Sequence, residues 1–197
     1  LKVGIMATHH DIRYSFKENE KDKLSDDTQF YEWAGYAAYS FRFWSKLDLT
    51  AGLRATYFTN LESIQFSPRT LLNYQATEHL AFKSSFTIEN QVLRQLYFQY
   101  RGEPTSLWVS AGSNMIPVLR SYNFMLGSTY RMGLFTVDVE VYQKNREGQL
   151  EYLLPNLADP SNTPDQDRVY ELLEGDGLVR GLDVILSSGY KSYDTYI

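Results

Sequence analysis

The sequence predicts an all-β fold: an antiparallel up-and-down transmembrane β-barrel, present as a partial barrel of about nine strands. Three observations predict it. Apolar and polar residues alternate with period two over long stretches, tight turns alternate with long connections, and aromatic residues gather at the ends of the alternating stretches. In LDLTAGLRATYF, Leu47, Leu49, Ala51, Leu53, Ala55 and Tyr57 fall on one side of an extended chain, with Asp48, Thr50, Gly52, Arg54 and Thr56 on the other. Side chains alternate in this way across a strand, whereas a helix repeats its apolar positions every three or four residues. The stretch also exceeds the usual globular strand of about 5 to 6 residues and suits a strand tilted across a bilayer, which needs about 9 to 11.

Period-two runs place strands at 1–7, 33–44, 47–58, 66–76, 79–89, 122–131, 134–144, 178–188 and 192–197. Between them, SK (Ser45, Lys46), TE (Thr77, Glu78), MG (Met132, Gly133) and GYK (Gly189 to Lys191) read as tight hairpin turns. The links from Thr8 to Glu32, from Thr59 to Gln65, from Asn90 to Ser121 and from Asn145 to Gly177 are longer. Because consecutive strands run up and down, this alternation puts every short turn at one rim and every long loop at the other, the plan of an outer-membrane barrel.

The faces agree. Phe135, Val137, Val139 and Val141 alternate with Thr136, Asp138, Glu140 and Tyr142; Leu80, Phe82, Phe86 and Ile88 alternate with Ala81, Lys83, Ser85, Thr87 and Glu89. Arg or Lys facing lipid at mid-membrane would cost about 2 to 4 kcal/mol, so the charged positions are expected to face a lumen. Aromatic girdles are expected at both interfaces, with Phe43, Trp44, Tyr74, Phe82, Tyr130, Phe135 and Tyr190 at the short-turn rim. Tyr57, Phe58, Phe66, Tyr122 and Tyr142 would form the opposite girdle.

Composition is compatible with this plan. The 197 residues include 16 Tyr, 11 Phe and 3 Trp, a Tyr-heavy aromatic share of 15% that suits half-wetted interfaces. A mean hydropathy of −0.39 and the lack of any run of about 18 apolar residues argue against a spanning helix, but a barrel with a polar lumen face evades both tests. With no Cys there is no disulfide framework and no thiolate metal site, and a net charge of −5 without a basic run gives no footprint for nucleic acid. The chain opens LKVGIMATHHD without a charged-then-apolar leader and ends YKSYDTYI inside an expected strand, so we expect residues 1–197 to be a segment of one longer transmembrane barrel domain.

The phrases YAAYSFRFWSKLDLTAGLRATYF, FSPRTLLNYQATEHLAFKSSF, GSTYRMGLFTVDVEVYQKNREGQLEY and GDGLVRGLDVILSSGYKSYDTYI, in this order, resemble the later part of the barrel of TonB-dependent outer-membrane receptors. The resemblance covers most of the chain. It implies a barrel of about 22 strands with a plugged lumen in the outer membrane of a Gram-negative cell. It also implies a plug domain and a TonB-contacting segment, which have no counterpart in this sequence. The function it implies is import of a scarce solute, such as an iron chelate, a cobalamin or an oligosaccharide, with energy coupled from the inner membrane. Its implied partners are outer-membrane lipid, the TonB complex through the absent plug, an imported ligand of unknown identity, and a surface lipoprotein; nucleic acid is not among them. The alternative is a barrel that serves as a surface anchor or protein docking platform. A soluble all-β sandwich is the third reading, in which the apolar stripe would be sealed between layers.

Lumen-facing candidates are Arg42, Arg54, Arg69, Lys83, Asp138, Glu140 and Asp183, which either pair with a plug or pair across adjacent strands of the wall, the latter being favoured. The third long loop offers Arg94, Tyr97, Tyr100, Arg101 and Trp108 for ligand contact, against loop packing over the barrel mouth as the plainer reading. His9, His10 and Asp11 read as a solvated loop rather than a metal site, since adjacent residues of an extended chain point apart. Asp138 and Glu140 lie about 7 Å apart along one strand face, a spacing that by itself suits an inverting glycosidase. No cleft accompanies them, and no G-x-S-x-G, H-E-x-x-H or phosphate loop exists, so no enzyme, cofactor or metal is expected.

Overall fold

An extended chain leaves every backbone N–H and C=O pointing sideways, so long alternating strands are stable only when laid edge to edge. The computed structural model describes residues 1–18, 21–100, 103–112, 116–153, 171–190 and 193–196, and it meets this demand with strands throughout. They are β1 (Lys2–Glu18), β2 (Lys21–Phe43), β3 (Leu47–Phe58), β4 (Ser63–Gln75), β5 (Leu80–Gln91), β6 (Leu93–Tyr100), β7 (Glu103–Ser110), β8 (Leu119–Met132), β9 (Phe135–Leu153), β10 (Glu171–Tyr190) and β11 (Tyr193–Tyr196). Nine form one antiparallel sheet in the order β1-β2-β3-β4-β5-β8-β9-β10-β11, and β6-β7 is a separate hairpin inserted between β5 and β8. The sheet is open, with β1 and β11 at its edges.

The strand expected at 47–58 has those bounds, but others extend well past the sequence expectation. β1 runs on to Glu18 and β2 begins at Lys21, so His9, His10 and Asp11 are not loop residues; they pair with Tyr31, Phe30 and Gln29. β9 continues to Leu153 and β10 starts at Glu171, where strands were expected to end at 144 and start at 178. Beyond the apolar band no outward side chain has to be apolar. The period-two signal fades there while the backbone ladder continues.

The connections expected to be tight share one rim, but at the other rim β3 and β4 are joined by only residues 59–62, no longer than the 76–79 link between β4 and β5, so the expected sorting by length does not hold there. Between β2 and β3, Trp44 and Ser45 adopt φ of 47° and 55°, and Lys46 N donates to Phe43 O at 3.2 Å. Primed turns of this kind match the twist of a hairpin. Between β4 and β5, Thr77 Oγ1 accepts from the amides of His79 (3.2 Å) and Leu80 (3.0 Å).

The sheet has an apolar face that is bare. Ile5 is 93% exposed and Leu53 47%, with Phe66, Phe124, Leu126, Leu182 and Val184 likewise exposed. Among the described residues no second layer covers them, whereas the sandwich reading requires one. Phe43, Tyr74, Phe82, Tyr130 and Phe135 share this face near the short-turn rim, with Trp44 86% exposed in the turn itself. At the other rim Tyr57, Phe66 and Tyr122 share it too, but Phe58 and Tyr142 do not. Phe58 is on the polar face and buried, and the Tyr142 ring lies over Gly181 of β10, where it would overlap a Cβ. Parity decides this: Phe58 is adjacent to the outward Tyr57, and so points the other way.

The buried core is small and sits on the polar face at the long-loop rim. Ile12, Phe30, Phe58, Val92 and Ala111 form it, with Leu61, Leu93, Ile116 and Val118 packed around. It is where the root of the β6-β7 hairpin meets the wall.

Candidate functional site

Strand register puts Arg42, Arg54, Arg69, Lys83, Asp138, Glu140 and Asp183 on one face, the face that also carries the core. They fall into separate groups rather than one cluster. Near the short-turn rim Arg42 donates to both Asp48 oxygens, Nε at 2.7 Å and Nη2 at 3.4 Å. Both side chains are well exposed, so this pair contributes little to stability. Arg69 and Asp183 have no ion-pair partner among the described residues.

In the middle of the sheet Lys83 Nζ donates to both oxygens of Asp138, at 2.8 and 2.9 Å, and to Glu140 Oε1. Thr129 Oγ1 adds a bond to Asp138 Oδ2 at 2.7 Å. Lys83 is on β5 and the carboxylates are on β9, so the lysine stem has to cross β8. It crosses at Gly127, its register partner, where a Cβ would come within 2.8 Å of Lys83 Cε and 3.1 Å of Glu140 Cγ. One ammonium thus holds two like-charged groups at alternate positions of one strand, which would otherwise repel.

Toward the long-loop rim Glu32 accepts from Arg54 Nη2 at 2.8 Å and lies 3.2 Å from His10 Nε2. Arg54 Nε also donates to Thr56 Oγ1 at 3.1 Å, and the His10 ring stacks on Phe30 with centroids 4.6 Å apart. Glu32 was missed by the sequence reading because it fell within an expected loop. His9 is on the opposite face against Tyr31, so the two adjacent imidazoles do not converge. Glu32, Arg54, Thr56, Gln65 and Asn90 line a cavity of about 210 Å³. Below it, Glu89, Glu140, Lys144 and Asp183 line an open trough of about 400 Å³.

The third loop residues separate by role. Arg94 is 6% exposed; its Nη1 donates to Gly148 O at 2.6 Å and its Nη2 to Pro117 O at 2.8 Å. Burial pulls its pKa below the ordinary arginine value, opposed by the Glu174 carboxylate. Gly148 has φ of 73°, and a Cβ there would come within 2.8 Å of Val118 O, so the close approach needs glycine. On the other face of the hairpin Tyr97 is 73% exposed and Trp108 50%. Tyr97 OH donates to Gln95 Oε1 and Gln95 Nε2 to Ser106 Oγ, both at 2.7 Å, giving an oriented polar row beside two rings. The side chain of Tyr100 and all of Arg101 lie outside the described residues. Arg94 therefore holds the loop down while Tyr97 and Trp108 are presented outward. Alternation within LRQLYFQY carries that distinction, since Arg94 and Tyr97 have opposite parity.

The family model described as TonB dependent receptor-like, beta-barrel matches residues 9–196. No curated protein matches the chain. Among solved structures, the siderophore receptor PirA from Pseudomonas aeruginosa is similar with a TM-score of 0.65 at 15% identity, over 87% of this chain and 35% of that one. A mutant of the ferric enterobactin receptor PfeA from Pseudomonas aeruginosa gives 0.60 at 18% identity, over 83% and 25%. The siderophore receptor PirA from Acinetobacter baumannii gives 0.59 at 10% identity, over 87% and 27%. The chain thus spans between a quarter and about a third of the length of these structures, and at such identities the likeness is one of fold.

Proposed function

Because the chain belongs to the TonB-dependent receptor-like β-barrel family, we propose that it forms part of the wall and outer loops of an outer-membrane receptor that imports a scarce solute, an iron chelate foremost. The single observation that carries this reading is the pairing of a bare apolar face with a polar face whose rim is roofed by a hairpin. The apolar face contacts lipid. The polar face lines a lumen, where Arg42, Arg54 and Lys83 pair with carboxylates of the wall, and Arg69, Asp183 and the trough beside Lys144 are left to meet whatever fills the lumen. The iron chelate is favoured because the structural neighbours are described as siderophore and ferric enterobactin receptors. Energy comes from TonB acting on a plug, with the barrel as its housing.

In this reading ligand meets the outward face of the β6-β7 hairpin, with Tyr97 and Trp108 as contacts and Tyr100 and Arg101 beside them in sequence. Arg94 supports the loop from beneath. Deleting the whole loop would remove Val92 and Ala111 from the core, so the informative variants are Tyr97→Ala and Trp108→Ala. In the full-length receptor, each is expected to weaken ferric-siderophore binding, followed by retention of the radiolabelled iron chelate, by about tenfold, the loss of one aromatic contact. Unchanged binding in the double variant, with a folded barrel, would refute the loop assignment.

A further inference from the structure

Backbone ladders on either side of β4 and β5 reach the long-loop rim, but the one between them does not. β3-β4 pairing continues to Phe58↔Ser63 and β5-β8 pairing to Gln91↔Leu119. β4-β5 pairing stops at Arg69↔Thr87, next to Pro68, which has no N–H to give. The same register, continued, would set Phe66 opposite Asn90. There the side chain substitutes for the backbone: Asn90 Nδ2 donates to Phe66 O at 2.9 Å and to Ser67 Oγ at 3.1 Å. Arg120, from β8, reaches over to Asn90 Oδ1 at 3.1 Å and Gln65 Oε1 at 3.4 Å. The cavity of about 210 Å³ straddles this seam, lined by Gln65 and Ser67 from one side and Glu89 and Asn90 from the other.

The hairpin root spans the same seam. On the β4 side, Asn60 in the β3-β4 turn donates to Ser110 Oγ at 2.8 Å and Ala111 O at 2.7 Å. On the β5 side, Arg94 holds Pro117 O and Gly148 O. Ala111 N donating to Val92 O at 2.7 Å closes the root between them. Asn60 Oδ1 and Arg94 Nε are the two buried side-chain polar atoms without a partner among the described residues, so both unsatisfied groups belong to this clasp. An unsatisfied buried group raises the free energy of the closed arrangement.

We propose that the outer half of the β4-β5 seam is a joint in the wall, stapled by Asn90 and Arg120 and clasped by the hairpin root, so that lifting the hairpin lets the wall part there. A few side-chain bonds replace a cooperative ladder, and the strand end they release, Ile88–Gln91, is the one that leads into the hairpin. Movement of the loop and flaring of the wall are therefore one event, whichever solute the loop contacts.

Backbone hydrogen exchange on the full-length receptor in micelles tests this. Amides of Ile64–Ser67 and Ile88–Gln91 directed across the seam are expected to exchange about tenfold faster than those of Thr50–Leu53, the difference that one or two net hydrogen bonds make. Asn60→Ala, which unfastens the clasp on one side, is expected to raise seam exchange about fivefold further and leave the β8-β9 ladder unchanged. Seam exchange as slow as the neighbouring ladder in the unaltered protein would overturn the proposal, as would an Asn60→Ala variant with unchanged seam exchange. Should that variant fail to assemble, Ser67→Cys with Glu89→Cys, which the same register continued sets opposite each other on the polar face, reports instead. An oxidised pair is expected to slow seam exchange to ladder values, and a pair that forms without slowing it overturns the joint.

Discussion

Replacing Arg94 by alanine is expected to destabilise the barrel by about 3 kcal/mol, because Pro117 O and Gly148 O each lose a charged donor in a buried place. The loss is structural before it is functional. Gly148 is in β9 and Pro117 precedes β8, so the guanidinium ties the hairpin to two wall strands that sequence separates from it by 54 and 23 residues. Arg94→Lys keeps the charge but has no fork of donors with which to reach two carbonyls, and is expected to recover less than half of the loss. Guanidinium unfolding midpoints of the full-length receptor, with heat-modifiable gel mobility as a check on folding, read both variants. A midpoint for Arg94→Ala equal to that of the unaltered protein would show that the loop is not anchored through this residue.

The second large effect is expected at Lys83. Lys83→Met leaves Asp138 and Glu140 facing each other's charge on a half-buried surface without their ammonium, and is expected to cost about 2 kcal/mol, less than for a fully buried pair because water still reaches the site. Removing the charges together should undo this. Lys83→Met with Asp138→Asn and Glu140→Gln is expected to regain most of the stability, since no unpaired charge remains. Gly127→Val is expected to lower stability by a similar amount, about 2 kcal/mol, by blocking the path of the lysine over β8. Combined with Lys83→Met its effect should be much less than additive, as befits two changes to one interaction. Full additivity would mean that Gly127 serves the backbone of β8 and not the crossing.

Some of this arrangement was legible in the residues and some was not. β3 was bounded correctly because both of its ends fall inside the apolar band, where every second residue has to be apolar. The extensions of β1, β2, β9 and β10 were illegible because outside that band the ladder is held by backbone bonds that carry no side-chain signature. The common face of Lys83, Asp138 and Glu140 followed from parity alone. Their meeting did not, since it depends on β8 becoming the neighbour of β5 across the inserted hairpin and on a glycine falling at the crossing point. Phe58 and Tyr142 show the limit of reading rings by their distance from a turn: parity had already assigned them to the polar face. Asn60, Asn90, Arg120 and Thr129 were unmarked, because an asparagine near a turn or an arginine at a strand end is ordinary until its partner is known.

By itself the sequence determined which side chains turn outward and which inward, since alternation is a property of the extended chain and needs no knowledge of neighbours. It also determined the up-and-down order, because each tight turn pairs the strands it joins. The tertiary structure alone decided which inward residues touch, where one ladder gives way to side chains, and which loop residues serve as anchors. Those outcomes depend on register between strands tens of residues apart, and a shift of one residue in any pairing would have given each inward group a different partner.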